Sequence, residues 1–296
     1  MTDSRLNNQR PFPGGDADRV AVPCALCAAD DYSAVDVQRG YRMVECRRCG
    51  LVYLNPRPTD VWLRQSYQDY LPTDTDGVIR WNRMMDGLYR SARRRLIRHV
   101  PKGGRLLDVG CAYGGFLETM RNAGWQVEGI EICAPAVAAC HRKGLTVAAS
   151  TLAEADLPRL RYDVVTLFYV LEHLSDPLGG LRKIRAALKP GGLCLVRVPD
   201  TTPLVKRLAR VGRRNDLYDS PYHLFDYPPP VLTRVLQETG FVNIQVEIDA
   251  ATRPARLVPR IVSLGASFVG RVLQRLSGGR RLLAGVSKTA TAQKPE

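Results

Sequence analysis

The sequence predicts an α/β fold, a mostly parallel sheet with helices on both faces. Three observations carry that prediction. From Arg105 onward, short apolar runs alternate with helical patterns, and strands separated by helices require right-handed crossovers. The first apolar run ends in an acid and a glycine-rich turn, Asp108-Val109-Gly110-Cys111-Ala112-Tyr113-Gly114-Gly115. The chain has 296 residues, 45% hydrophobic and 24% charged, enough for a core of ordinary size, which excludes a fibrous or wholly disordered protein.

Residues 1–20 are polar, with Pro11, Pro13, Gly14 and Gly15, and read as a loose tail. Residues 21–56 contain Cys24, Cys27, Cys46 and Cys49 in the spacing C-x2-C-x18-C-x2-C. Each C-x2-C puts two thiolates on one tight knuckle, and two knuckles close a tetrahedron around Zn²⁺. Four thiolate ligands make such a site structural. Disulfides are the competing reading, but nothing in the chain points to an oxidising compartment. The β-prone runs 32–38 and 41–45 suit a small zinc-ribbon hairpin. Residues 57–100 read as a helical linker: Thr59 is the N-cap of a helix to Tyr70, and a basic helix covers 78–100.

The main domain is expected over 101–296. Strands are predicted at 105–110, 125–132, 145–149, 163–168, 193–198 and 241–249. Helices are predicted at 115–123, 134–143 and 177–188, and from the Pro228-Pro229-Pro230 cluster to Gly240. Cys111, Cys133, Cys140 and Cys194 lie in apolar surroundings and read as packed thiols.

Lys and Arg outnumber Asp and Glu by 43 to 29, a net charge of +14. The excess sits in two stretches, 80–105 and 250–296, each with nine bases against one acid. Such stretches are either solvated helix faces or surfaces for anionic partners. No apolar run is long enough to span a membrane and no signal peptide opens the chain, so a cytoplasmic location is expected.

The turn at 110–115 fits one cofactor class better than another. A dinucleotide needs a second glycine where backbone meets the pyrophosphate, and Ala112 stands there. S-adenosylmethionine carries no phosphate, and Asp108 suits its ammonium group. Glu131, ending the next strand, can accept both ribose hydroxyls.

These residues resemble the class I S-adenosylmethionine-dependent methyltransferases with an N-terminal zinc ribbon, a bacterial type associated with sugars, surface polysaccharides and secondary metabolites. Asp108 to Gly114 resembles the family's first motif, Glu131 its second-strand acid and Tyr162 to Leu174 its fourth-strand motif. Leu188-Lys189-Pro190-Gly191-Gly192 resembles the turn before the fifth strand. Cys49 to Pro58 and Pro221-Tyr222-His223-Leu224-Phe225 resemble the ribbon exit and the acceptor-side loop. The resemblance implies a Rossmann-like, seven-stranded, mostly parallel sheet. Its last strand is expected at 283–292, antiparallel at the sheet edge, after a basic insertion at 250–282. It also implies that Asp108, Gly110, Ala112, Gly114, Glu131, Ile132 and Phe168 bind the cofactor. The adenine contact is not assigned, with Thr151 and Asp156 as candidates.

Transfer to a hydroxyl calls for a general base, and His173 and His223 are the candidates. Some related quinone-pathway enzymes place a divalent ion near Glu172 and His173, using a further carboxylate where this chain has Tyr169. The expected acceptor is a small molecule or saccharide. An RNA substrate and a non-catalytic binding module are the alternatives. Ile261, Leu264, Phe268, Val272 and Leu276 recur at helical spacing among arginines. Residues 260–276 are therefore either a lid packed on the domain or a peripheral contact with the inner membrane face, which would imply a lipid-linked acceptor.

Overall fold

The computed structural model describes residues 18–68, 70–200, 218–248 and 287–296, with isolated positions 264, 265, 268–270 and 272. The N-terminal part forms β1 (Arg19–Val20), β2 (Tyr32–Gln38), β3 (Tyr41–Cys46), β4 (Val52–Leu54) and β5 (Arg57–Pro58). β2 and β3 make the predicted hairpin. The chain continues through α1 (Asp60–Gln68) and α2 (Thr75–His99). Thr59 caps α1 as predicted, its Oγ1 accepting from the Trp62 amide at 3.4 Å. Asp74 caps α2 by accepting from the Gly77 amide at 2.7 Å.

The large sheet is built from β6 (Arg105–Val109), β7 (Gln126–Glu131), β8 (Thr146–Ala149), β9 (Tyr162–Phe168), β10 (Leu188–Pro199), β12 (Val242–Ile248) and β13 (Ser287–Gln293). Between them run α3 (Gly115–Arg121), α4 (Ala134–Arg142), α5 (Pro177–Ala187), β11 (Phe225–Asp226) and α6 (Pro229–Glu238). The strand order is β12-β13-β10-β9-β6-β7-β8, seven strands, parallel except for the two ladders that β13 makes. This is the Rossmann-like, mostly parallel sheet the sequence predicts.

One placement differs. The last strand is antiparallel but does not lie at the edge; it is inserted between β10 and β12. Residues 287–292 are all buried, and the ladders on both sides satisfy backbone groups that an edge would expose.

After β6 the chain builds outward through β7 and β8, then returns to the other side of β6 as β9. That reversal opens a crevice at the carboxyl ends of β6 and β9, where ligands bind in open α/β sheets. The apolar stripe of α2, Met85, Leu88, Tyr89, Ala92 and Leu96, is buried with residues of β6, α3 and β9. Its arginines 83, 90, 93, 94 and 98 are exposed.

The ribbon hairpin is not an isolated appendage. β11 pairs antiparallel with β4, giving a four-stranded sheet ordered β11-β4-β3-β2. Most of residues 260–276 lie outside the described residues, Ile261 and Leu276 of the stripe among them. Of that stripe, Leu264, Phe268 and Val272 are exposed, as is the neighbouring Val269. Among the described residues, no helix is long and apolar enough to cross a membrane.

A buried ion pair fastens β13 to the end of β10. Lys288 Nζ donates to Asp200 Oδ1 at 3.1 Å and to the Pro199 carbonyl at 2.9 Å, and both side chains are almost fully buried. Removing one partner strands the other charge in the interior. Lys288→Met should therefore lower the unfolding free energy by about 3 kcal/mol in urea titrations. The double change Lys288→Met with Asp200→Leu should recover part of that loss, since buried Asp226, 3.9 Å from Lys288 Nζ, loses that cation in both variants.

Candidate active site

The crevice floor is the strand-to-helix turn after β6. Gly110 and Gly114 have φ of +70° and +73°, and an added Cβ would lie 2.5 Å from Val170 at the first and 2.5 Å from Leu145 at the second. A side chain at either position would strain the backbone and displace its neighbour. Ala112 also has positive φ, 47°, a conformation costing about 1 kcal/mol for alanine. Its amide offsets that cost by donating to Glu131 Oε2 at 2.9 Å.

Glu131 is held tightly. Besides Ala112, the amides of Ile132 and Cys133 donate to Oε1 at 2.8 and 2.9 Å. Burial raises its carboxyl above the usual range, against these three donors. Oε1 thus accepts two amides and Oε2 one, which leaves an acceptor position on Oε2 open to a ligand hydroxyl. Asp108 lies opposite Thr166 in the β6–β9 register, and its Oδ1 accepts from the Thr166 hydroxyl at 2.6 Å. Burial pushes Asp108 up to about 7; Thr166 opposes the shift and the Glu131 charge adds to it. Asp108, Gly110, Ala112, Gly114, Glu131 and Ile132 thus converge on one turn. Phe168 sits at the end of β9, with its ring packed edge-on against Phe116 at 4.8 Å and against Tyr89. Thr151 accepts from the Glu154 amide, and Asp156 is exposed.

The opposite wall follows β9. Tyr169, at φ 59°, donates its amide to the Arg197 carbonyl, and a 3-10 turn covers Leu171–His173. His173 and His223 come together with ring centroids 4.8 Å apart. His173 Nδ1 lies 2.8 Å from the Tyr222 carbonyl oxygen and 3.0 Å from the Tyr67 hydroxyl of α1. Burial lowers His223, while the neighbouring Asp219 opposes this, so the imidazole is neutral at pH 7. Glu172 is fully buried, and both its oxygens lack a hydrogen-bond partner among the described residues. Burial pushes it up to about 8, partly countered by Lys288. Glu172, His173 and His223 each offer one ligand atom within 4.8 Å of the others. A neutral acid and two imidazoles, with Tyr169 where a second carboxylate would stand, make a poor donor set for a hard divalent ion.

The two cysteine knuckles also close on each other. Sγ atoms of Cys24 and Cys49 are 3.4 Å apart, and those of Cys27 and Cys46 are 3.5 Å apart. Four sulfurs around Zn²⁺ at ~2.3 Å would be separated by about 3.8 Å, whereas a disulfide needs ~2.05 Å. The separations suit a shared metal. Cys111, Cys133, Cys140 and Cys194 are buried free thiols, as expected.

Sequence reasoning missed Thr166 and Tyr67. Thr166 had a signal, as a polar residue inside an apolar strand that the sheet register sets beside Asp108. Tyr67 had none, since its partner lies 106 positions away.

A family model for a methyltransferase domain matches residues 81–246. The chain belongs to the class I S-adenosylmethionine-dependent methyltransferases. The methyltransferase is 31% identical over 185 residues to the ubiquinone biosynthesis O-methyltransferase of Nitrosospira multiformis, covering 57% of this chain and 74% of that protein. It is 35% identical over 122 residues to the enzyme of the same name from Xanthomonas axonopodis pv. citri, covering 39% of this chain but only 51% of that protein. Among solved structures, an S-adenosylmethionine-dependent methyltransferase from Archaeoglobus fulgidus aligns with TM-score 0.51 at 22% identity, covering 75% of this chain and 100% of that one. Phosphoethanolamine N-methyltransferase 2 of Haemonchus contortus aligns with TM-score 0.55 at 18% identity, covering 83% of this chain and 63% of that one. The likeness to solved structures concerns the fold.

The raised Glu172 carboxyl has a measurable sign. Between its unfolded value near ~4.3 and its folded value of about 8, the native methyltransferase binds the extra proton, so this group's stabilisation is lost as pH rises through that window. Glu172→Gln, which removes the titration, should change stability little at pH 5. It should raise stability at pH 7.5, by on the order of 2 kcal/mol in denaturant titrations.

Proposed function

We propose that the methyltransferase moves a methyl group from S-adenosylmethionine to a hydroxyl of a small-molecule acceptor, with His173 as the general base. The observation that carries this reading is the position of His173. It lies at the carboxyl edge of β9, three residues after Val170, the side chain that closes on Gly110 of the donor turn. The O-methyltransferase names of the relatives support the same acceptor chemistry.

In this reading the donor's ammonium group meets Asp108 and its ribose meets Glu131. Gly110, Ala112 and Gly114 let backbone approach it, and Ile132 and Phe168 line the adenosyl side. The donor supplies an electrophilic methyl on a positively charged sulfur. As the acceptor oxygen bonds to the methyl carbon, the carbon–sulfur bond breaks and sulfur keeps the electron pair. The hydroxyl proton passes to His173, and His223 packs beside it on the acceptor side. Positioning and exclusion of water supply most of the acceleration, with the base adding ~10²–10⁴-fold. Phenols and saccharide hydroxyls belong to one acceptor class here. Turnover to S-adenosylhomocysteine across a panel of both tests the reading: His173→Ala should cut kcat by about 10²-fold or more. Turnover confined to amines or RNA would overturn it.

For the donor site, Asp108→Ala and Glu131→Ala should each weaken S-adenosylhomocysteine binding about tenfold or more by calorimetry, on the order of 1.4 kcal/mol. Unchanged affinity in both variants would remove the assignment.

We further propose that Cys24, Cys27, Cys46 and Cys49 hold one structural Zn²⁺, supported by the sulfur separations above. Elemental analysis should give about one zinc per chain. Cys46→Ser should spare donor binding but reduce acceptor turnover, because β4 of the ribbon carries β11 and the His223 loop preceding it.

A further inference from the structure

A carbonyl oxygen can only accept a hydrogen bond, so the 2.8 Å contact between His173 Nδ1 and the Tyr222 carbonyl requires the proton to sit on Nδ1. The Tyr67 hydroxyl donates to the same carbonyl at 2.9 Å, filling its second acceptor position. With that hydrogen committed, the phenol oxygen is left to accept, and Nδ1 lies 3.0 Å from it. Burial holds the Tyr67 phenol well above its ordinary value, with Tyr70 and Glu172 adding to the effect, so this donor persists across the working pH range. The three groups form a closed arrangement with one self-consistent assignment of protons.

We propose that Tyr67 is a positioning residue for the transfer. With the Tyr222 carbonyl it holds His173 as the Nδ1–H tautomer, which makes Nε2 the basic nitrogen. This rests on the reading of His173 as the base. Free imidazole favours the opposite tautomer, so the protein must supply the bias. Each partner is fixed from its own element. Tyr67 is carried by α1 and its ring lies edge-on to both Tyr70 and His173, at 5.7 and 5.4 Å. The Tyr222 carbonyl belongs to the loop leading to β11, whose Leu224 amide donates to the Glu172 carbonyl at 2.8 Å. Among the described residues, ionisable groups that face His173 include Tyr67 and Tyr70 from the α1 side, and Tyr222 and His223 from the loop. Glu172 is its neighbour in the chain, and Asp219 stands behind His223.

The test is nitrogen-15 NMR of the full-length chain labelled at histidine, which separates protonated from bare ring nitrogens. The chain has four histidines, and His173→Asn identifies the resonance. In wild type, His173 should appear as the Nδ1–H form. Tyr67→Phe keeps the ring contacts but deletes the hydroxyl. It should move the tautomer ratio about fivefold toward Nε2–H, the factor one net hydrogen bond supplies. S-adenosylhomocysteine affinity should stay the same, since Tyr67 lies outside the donor turn. An Nε2–H form in wild type, or an unchanged ratio in Tyr67→Phe, would overturn the proposal. Failure of the broader reading looks different: His173→Asn would retain turnover while the wild-type tautomer was still Nδ1–H.

Discussion

Leu224 ties the two halves of the molecule together through its backbone. Its amide donates to the Glu172 carbonyl beside the large sheet, and its carbonyl accepts from the Leu54 amide of the ribbon at 2.9 Å. Leu224 is buried, so neither group can turn to water if its partner is lost. Two more contacts repeat the same connection: the Tyr227 hydroxyl donates to the Leu171 carbonyl, and Arg39 donates to the Ser220 carbonyl. The loop that presents Tyr222 and His223 therefore has the ribbon on one side and the exit of β9 on the other. Its position is set by both.

The donor side depends on a different constraint. Gly110, Ala112 and Gly114 all take left-handed backbone, which a chain segment adopts only when its surroundings fix it. Glu131 does much of that fixing, since its carboxylate binds amides from the turn after β6 and from its own strand end at once. A residue read from sequence as a ribose ligand is thus also the brace of the loop. Asp108 is similarly committed to Thr166 before any ligand arrives. Both acids are buried and raised by that burial, and each is already held by a neighbouring donor.

Much of the donor side was legible in the sequence because it is local. An acid, a glycine turn and a helix within ten positions state their own geometry, and the alternation of strands and helices fixed which strand ends meet. The seventh strand was expected from the family resemblance, but its insertion beside β10 depends on ladder pairing across about ninety residues of separation, which no local pattern encodes. The acceptor side was legible only in part. His173 and His223 could be named from their motifs, whereas their contact, and the part of Tyr67, arise from three segments brought together by the ribbon. Glu172 could be named in sequence only as a possible metal neighbour, and it is burial that shows its carboxyl oxygens to lack a hydrogen-bond partner among the described residues.

The ribbon's place in the sheet order gives it a purpose that its cysteines alone do not reveal. A hairpin of this size buries too little apolar surface to be stable by itself, so a metal at the knuckles would fix its shape. Here its outer strand, β4, carries one side of the acceptor loop through β11, and its exit leads into α1, which carries Tyr67. Both groups that contact His173 Nδ1 therefore trace back to the ribbon, one by strand pairing and one by chain continuity. The donor turn has neither connection. Disturbing the ribbon reaches the His173 and His223 side of the crevice first, and the turn after β6 only through the shared core.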